Sequence, residues 1–158
     1  LRPYVSAEYL HAVTDSNLAA SSGSPDLVHT KGKIAPQAPE WQVGFGLDYD
    51  DGHRFGSFNL KYIARQYSSF NNDESIPGYV RMNIAVGYRF NNFGIMHNPT
   101  LRLNLQNISG SKDLTWISSV KTNPSTVTGI YGTTITGSAP TYSIGSPFSH
   151  LATFSSGF

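Results

Sequence analysis

The sequence predicts an all-β chain that forms part of an antiparallel transmembrane β-barrel, and three observations carry the prediction. Apolar and polar residues alternate with a period of two in several segments, the apolar face ends in aromatic residues at the segment termini, and the connections are very uneven in length. Composition agrees, since only 13% of the 158 residues are charged, 13% are aromatic, and Gly, Ser, Thr and Asn are plentiful. The mean hydropathy of −0.26 belongs to no helical membrane protein, and no run approaches the ~18 consecutive apolar residues of a spanning helix. A barrel strand escapes that test because its lipid-facing and lumen-facing side chains average to neutral.

The first strand sets Val5, Ala7 and Tyr9 against Ser6, Glu8 and Leu10. The second is the cleanest, with Trp41, Val43, Phe45, Leu47 and Tyr49 separated by Gln42, Gly44, Gly46 and Asp48. Asp50-Asp51-Gly52-His53 supplies the tight hairpin that leads to a third strand with Phe58, Leu60 and Tyr62 set against Asn59, Lys61 and Arg65. The fourth strand presents Val80, Met82, Ile84, Val86, Tyr88 and Phe90 on one face and Arg81, Asn83, Ala85, Gly87 and Arg89 on the other. In the fifth, Leu101, Leu103 and Leu105 interleave with Arg102, Asn104 and Gln106. A last strand from about Thr141 carries Phe148, Ala152, Phe154 and Phe158. No helical period appears, and the stretch from Ser111 to Pro140 has room for a short helix or an extra hairpin.

These strands are joined by connections of about 24, four, nine, nine and 30 residues, which places the longest ones on one rim. Odd strands then run outward and even strands inward. Six strands cannot close, since single-chain bacterial barrels begin at about eight. An open edge in lipid costs several kcal/mol per unpaired backbone group. The sequence therefore reads as a piece of a longer chain, whose first residues already belong to a strand.

The segment Gly32-Lys33-Ile34-Ala35-Pro36-Gln37-Ala38-Pro39-Glu40-Trp41 is followed by Gly46-Leu47-Asp48-Tyr49, Gln66-Tyr67, Ile76-Pro77-Gly78-Tyr79, Gly87-Tyr88-Arg89-Phe90 and Leu101-Arg102-Leu103-Asn104-Leu105-Gln106-Asn107-Ile108. This ordered series resembles the C-terminal β-barrel portion of TonB-dependent outer-membrane receptors. The resemblance covers essentially the whole chain, 1–158, and implies the last six strands of a barrel of about 22. It also implies that the plug domain and the TonB-recruiting segment, or TonB box, lie outside the chain, in its N-terminal direction. The implied location is the outer membrane of a Gram-negative bacterium. The implied role is energy-coupled uptake of a scarce nutrient of the siderophore, cobalamin or saccharide class. Implied partners are the remaining strands and plug, outer-membrane lipid, the TonB complex acting through the plug, and the barrel assembly machinery. Phe148, Phe154 and Phe158 resemble the C-terminal assembly signal of outer-membrane proteins.

The polar set Glu8, Asp48, Lys61, Arg65, Arg81, Arg89 and Arg102 is expected to face the lumen and plug, because charge on the lipid face costs about 2–4 kcal/mol near the midplane. Candidates for ligand contact are Tyr67, Phe70, Asn72, Asp73, Trp116 and Tyr131, aromatic and polar residues of the connections that could stack on or hydrogen-bond a ligand. Tyr142 belongs to the same aromatic group. Asn71-Asn72-Asp73-Glu74 also reads as a solvated loop. His11, His29, His53, His97 and His150 have no close pair at metal-ligand spacing, and Asp48, Asp50 and Asp51 flank a turn where Asp bonds its own backbone. No metal, cofactor or catalytic set is expected, and the net charge of +1 without a basic run offers nucleic acid no footprint. Two alternatives stay open: a passive pore or structural barrel, and a soluble β-sandwich that binds carbohydrate through exposed aromatics.

Overall fold

A computed structural model describes residues 1–21, 23–120 and 122–157. Six long strands form one antiparallel sheet: β1 (Arg2–Tyr9), β2 (Trp41–Asp50), β3 (Arg54–Ile63), β4 (Tyr79–Arg89), β5 (His97–Gln106) and β6 (Ser149–Gly157). They pair strictly in chain order, so every strand neighbours the next and the sheet is an open meander. Connections 51–53 and 90–96 lie on one rim, and 10–40, 64–78 and 107–148 on the other. The connection after β3 thus joins the long-loop rim, an extension of the predicted parity.

The register shows why alternation mattered. Val5 pairs Phe45, which pairs Leu60, which pairs Met82, and the row Pro3, Leu47, Phe58, Ile84, Leu105 and His150 crosses all six strands. One residue along, Ser6, Gly44, Lys61 and Arg81 make a row on the opposite face. A single-residue slip would exchange these faces entirely, so the register is strongly specified. Aromatic residues close the apolar face at both rims. Tyr9 and Trp41 pack at 4.7 Å between ring centroids on the long-loop side, and Tyr88 and Phe90 at 4.7 Å on the short-turn side. Trp41 and Tyr49 open and nearly close the same strand. Their separation is about 27 Å along the chain at ~3.4 Å per residue, and a tilt of about 40° leaves roughly 20 Å between the belts, close to the ~25 Å apolar band of a membrane barrel.

Packing is inverted relative to a soluble sheet protein. Every residue of β1 is exposed, and large apolar side chains such as Val86, Leu101 and Phe154 stay 47–58% exposed. The buried residues sit instead among the long connections: Val28, Ile76, Ile117 and Ile135 with Asp26, Thr30, Ser68, Ser69, Asn107, Thr122 and Asn123. Inside the sheet only Gly46, Ala85 and Pro99 are buried among the described residues. The edges β1 and β6 each have a single partner strand, which leaves a ladder of backbone groups open on either side.

One expectation about the chain is corrected, and one choice left open is resolved. The last long strand begins at Ser149, not near Thr141, because Tyr142–Ile144 turns back to pair with Leu114–Ile117. The stretch from Ser111 to Pro140 holds hairpin pairing, Val127–Thr128 with Thr134–Ile135, and no helix among the described residues.

Candidate functional site

Six of the seven predicted lumen-facing residues share one face of the sheet. Glu8, Asp48, Lys61, Arg81, Arg89 and Arg102 all fall in the rows opposite the apolar ones. Arg65 does not join them. It lies beyond the last residue of β3 and is exposed on the 64–78 connection, because the strand ends at Ile63. The shared face carries a concave trough of about 500 Å³ lined by Tyr4, Ser6, Glu8, Asn59, Lys61 and Arg81 among others.

Toward the short-turn rim one pair of opposite charges is joined. Arg89 donates two hydrogen bonds to the Asp50 carboxylate, at 2.8 and 2.9 Å, which ties β4 to the β2–β3 hairpin. The bidentate fork fixes geometry as well as charge. Asp51 caps the turn itself: it accepts from the Arg54 N–H at 2.6 Å, from the His53 N–H at 3.0 Å and from the Tyr49 hydroxyl at 2.9 Å. The backbone N–H of Arg54 and the Tyr49 hydroxyl hold the Asp51 carboxyl below its ordinary 3.8. A lowered folded-state value stabilises the turn above the unfolded-state pKa, and that contribution is lost as pH falls through the folded value. A carboxyl ¹³C titration should therefore place the Asp51 midpoint below 3.8, and Asp51→Asn should erase the acid-side loosening; a midpoint at or above the ordinary value would contradict the capping geometry.

On the other rim the three long connections are stapled to one another. Asn72, in the left-handed region at φ 57°, accepts from the Ile34 N–H at 2.8 Å and donates to the Ile34 carbonyl at 2.7 Å, as a backbone strand neighbour would. Asp73 accepts from the Ser69 hydroxyl at 2.6 Å and from the Ser125 N–H at 3.1 Å. Val120 and Asn71 exchange further backbone bonds with Ser68 and Thr122. Asn72 and Asp73, singled out as ligand contacts, thus spend their polar atoms on neighbouring loops. Tyr67 sits half-buried on a short ladder with Ser75, and Phe70 is half-buried beside it. Of the predicted group, Trp116 and Tyr131 are exposed at 44% and 71%, and Asp73 is exposed as well. Asn72→Ala should cost the cap both bonds to Ile34 and add left-handed strain, while Asn72→Gly should lose the bonds alone; nicking by protease at Lys31 or Arg65 in the intact protein, faster in the alanine variant, would report it.

Sequence reasoning missed the residue at the centre of this cap. Asp26 is 1% exposed. It accepts hydrogen bonds from the backbone N–H groups of Leu27 at 2.7 Å, Tyr131 at 2.8 Å and Thr133 at 2.8 Å. Burial pushes its carboxyl up, but those donors together with the Thr133 hydroxyl prevail and hold it below the ordinary range. No period or motif marks Asp26, because two of these three donors, Tyr131 and Thr133, lie more than a hundred residues away.

Among the described residues no group of three or more His, Asp or Glu assembles that could hold a metal. His11 lies 3.9 Å from Glu40, and His53 Nδ1 is 3.2 Å from the Arg89 carbonyl, so these two make local contacts. Of the three aromatics that resemble an assembly signal, Phe154 stands opposite Leu101 on the apolar face and Phe148 packs near His150 at 6.1 Å. Phe158 lies outside the described residues.

Comparisons with known proteins bear on what such a sheet belongs to. A family model described as TonB dependent receptor-like, beta-barrel, matches residues 4–108. The siderophore receptor PiuA from Acinetobacter baumannii superposes with a TM-score of 0.57 at 19% identity, over 78% of this chain and 14% of that one. The ferric citrate transporter FecA in its unliganded form gives a TM-score of 0.50 at 17% identity, over 81% of this chain and 19% of that one. No curated protein matches. The chain therefore spans less than a fifth of either solved structure, and at these identities the likeness is one of fold.

Proposed function

The chain belongs to the TonB dependent receptor-like β-barrel family, and from that premise we propose that residues 1–158 are the C-terminal wall of an outer-membrane receptor that takes up a scarce nutrient with energy delivered through TonB. The supporting observation is the two-faced, six-stranded meander itself. Its apolar face runs in unbroken rows between two aromatic belts, and its edges β1 and β6 lack outer partners. In hydrocarbon an open edge is untenable, so further strands of a barrel of about 22 complete the ring. A plug fills the lumen against the polar face, and TonB acts on that plug from the periplasm. The C-terminal aromatics Phe148, Phe154 and Phe158 serve the assembly machinery.

In this reading the wall binds, orients and insulates, and it performs no covalent chemistry. The outer cap, with Trp116 and Tyr131 exposed, meets a ligand of siderophore, cobalamin or saccharide type before it reaches the plug. Mixed charges on the inner face suit a packed polar interface that must loosen during transport.

The face assignment has a direct test. The chain contains no cysteine, so a single Cys introduced into it can carry a spin label in the full receptor in lipid vesicles, any cysteine elsewhere in that receptor being replaced first. Labels at Val43 and Ile84 should report lipid, and labels at Asn83 and Asn104 polar surroundings. The reverse pattern would overturn the wall assignment, and a monodisperse full protein in plain buffer without detergent would overturn the membrane itself. Uptake that persists after the proton-motive force is collapsed would instead leave a passive pore.

A further inference from the structure

Lys61 and Arg81 are directly opposite each other on β3 and β4, on the polar face. Like charges so placed repel and destabilise a sheet unless something neutralises them. Among the described residues no salt bridge reaches either one: the two ion pairs present are Arg89 with Asp50 and His11 with Glu40. The same row continues as Gly44 and Ser6, so the floor beside the two cations is bare backbone and a hydroxyl. The next row supplies Asn59 and Asn83, amides rather than acids, facing each other. All of these line the trough of about 500 Å³, and its one carboxylate, Glu8, accepts a hydrogen bond from Gln42 at 3.3 Å.

Arg81 is also held in place. Its guanidinium lies 5.8 Å from the Tyr79 ring centroid and packs so close to Gly145 that a side-chain carbon there would overlap it. Its Nε is buried without a hydrogen-bond partner, an expensive state for a charged donor. Asp113 on the neighbouring loop segment has a buried Oδ2 without a partner as well, and it makes no ion pair with Arg81. The pair therefore combines a fixed guanidinium, a second cation, amide donors and room for a group of several atoms. It sits near the long-loop ends of β3 and β4, at the outer mouth in the orientation proposed above.

We propose that Lys61 and Arg81, with Asn59 and Asn83, form an anion-binding site that takes a carboxylate- or phosphate-bearing group. The occupant is either a free anion in the interior or a carboxylate of the segment that fills it. This inference rests on the polar face being the inner face. A guanidinium held in place offers charge-assisted hydrogen bonds to such a group without first having to be ordered, and the enclosing low-dielectric wall strengthens the attraction.

The sign of one substitution decides it. In an unneutralised pair Lys61→Gln relieves repulsion, and the unfolding midpoint of the full receptor stays or rises. In a neutralised pair the same change lowers it. The receptor is melted in detergent with inorganic phosphate and with KCl at matched ionic strength, as wild type, Lys61→Gln, Arg81→Gln and the charge-preserving Arg81→Lys. A midpoint raised by about 2–4 °C in phosphate over KCl, and lost in Lys61→Gln, identifies a free anion. No phosphate effect, but a drop of about 2–4 °C in Lys61→Gln with Arg81→Lys near wild type, identifies a resident carboxylate. Any result in which Lys61→Gln neither abolishes a phosphate effect nor lowers the midpoint overturns the site. Failure of the wall assignment would show separately, as a label at Asn104 reporting lipid.

Discussion

Replacing Gly129 with alanine is expected to open the loop cap, with an overpacking cost of about 1–3 kcal/mol concentrated at one contact. A methyl group built on Gly129 lands inside the Asp26 carboxylate, and that carboxylate is already committed to three backbone N–H groups on two different connections. Either Asp26 moves and abandons Tyr131 and Thr133, or the 127–135 hairpin shifts away from it. Ile130, whose N–H donates to the Leu27 carbonyl at 2.9 Å, would be drawn along. Asp26→Ala should produce the same loosening from the other side, by leaving buried donors without an acceptor. Asp26→Asn retains one acceptor oxygen but turns an amide NH₂ toward an N–H, so it should fall between wild type and alanine. Because the folded state lowers the Asp26 pKa, the clamp is complete above the unfolded value and weakens as pH falls through the folded one. Limited trypsinolysis of the full receptor in membranes, read as the rate of cutting at Lys31, checks all three variants. Wild-type resistance in Gly129→Ala would show that the clamp is not what holds the cap.

A charge placed on the apolar face should be nearly as damaging and far more position-dependent. Ile84 lies in the row of Phe58 and Leu105, midway between the aromatic belts. Ile84→Arg should cost about 2–4 kcal/mol at that depth, visible as a lower urea midpoint on refolding into lipid vesicles and as reduced outer-membrane abundance. Asn104→Arg, one residue out of phase on the neighbouring strand, should be close to neutral because its side chain stands on the polar face. Equal costs for the two would mean that the sheet does not separate lipid from a polar interior.

The strand phases were readable because burial imposes a period of two and the row of Trp41, Val43, Phe45, Leu47 and Tyr49 displays it without interruption. Six strands, their order and the assignment of Lys61, Arg81 and Arg102 to one face all followed from that period. Arg65 failed because periodicity continues on paper past Ile63, where the chain leaves the sheet: Ala64 still donates to the Trp41 carbonyl, but Arg65 has no strand neighbour. The boundary of β6 failed for a related reason. Tyr142–Ile144 alternates like a strand but pairs with a segment of its own connection. The cap left no trace, since two-residue ladders have no period and its staples are single side chains such as Asp26, Asn72 and Asp73 meeting backbone groups distant in sequence. Asn72 stands out in the sequence as a polar loop residue, but nothing there marks its left-handed backbone or its peptide-like pairing with Ile34.

The buried core of this chain lies in its connections, and the contact that locks it joins residues 26 and 131, separated by 105 positions in sequence. Such a contact cannot form until the intervening strands have brought the rim together, because closing so long a loop earlier gains nothing to offset its entropy. The cap is therefore the last part of the wall to take shape. In the orientation proposed above, it is an outward-facing epitope that exists only on a finished barrel: an antibody raised against the locked cap would stain assembled receptors and pass over chains still in transit.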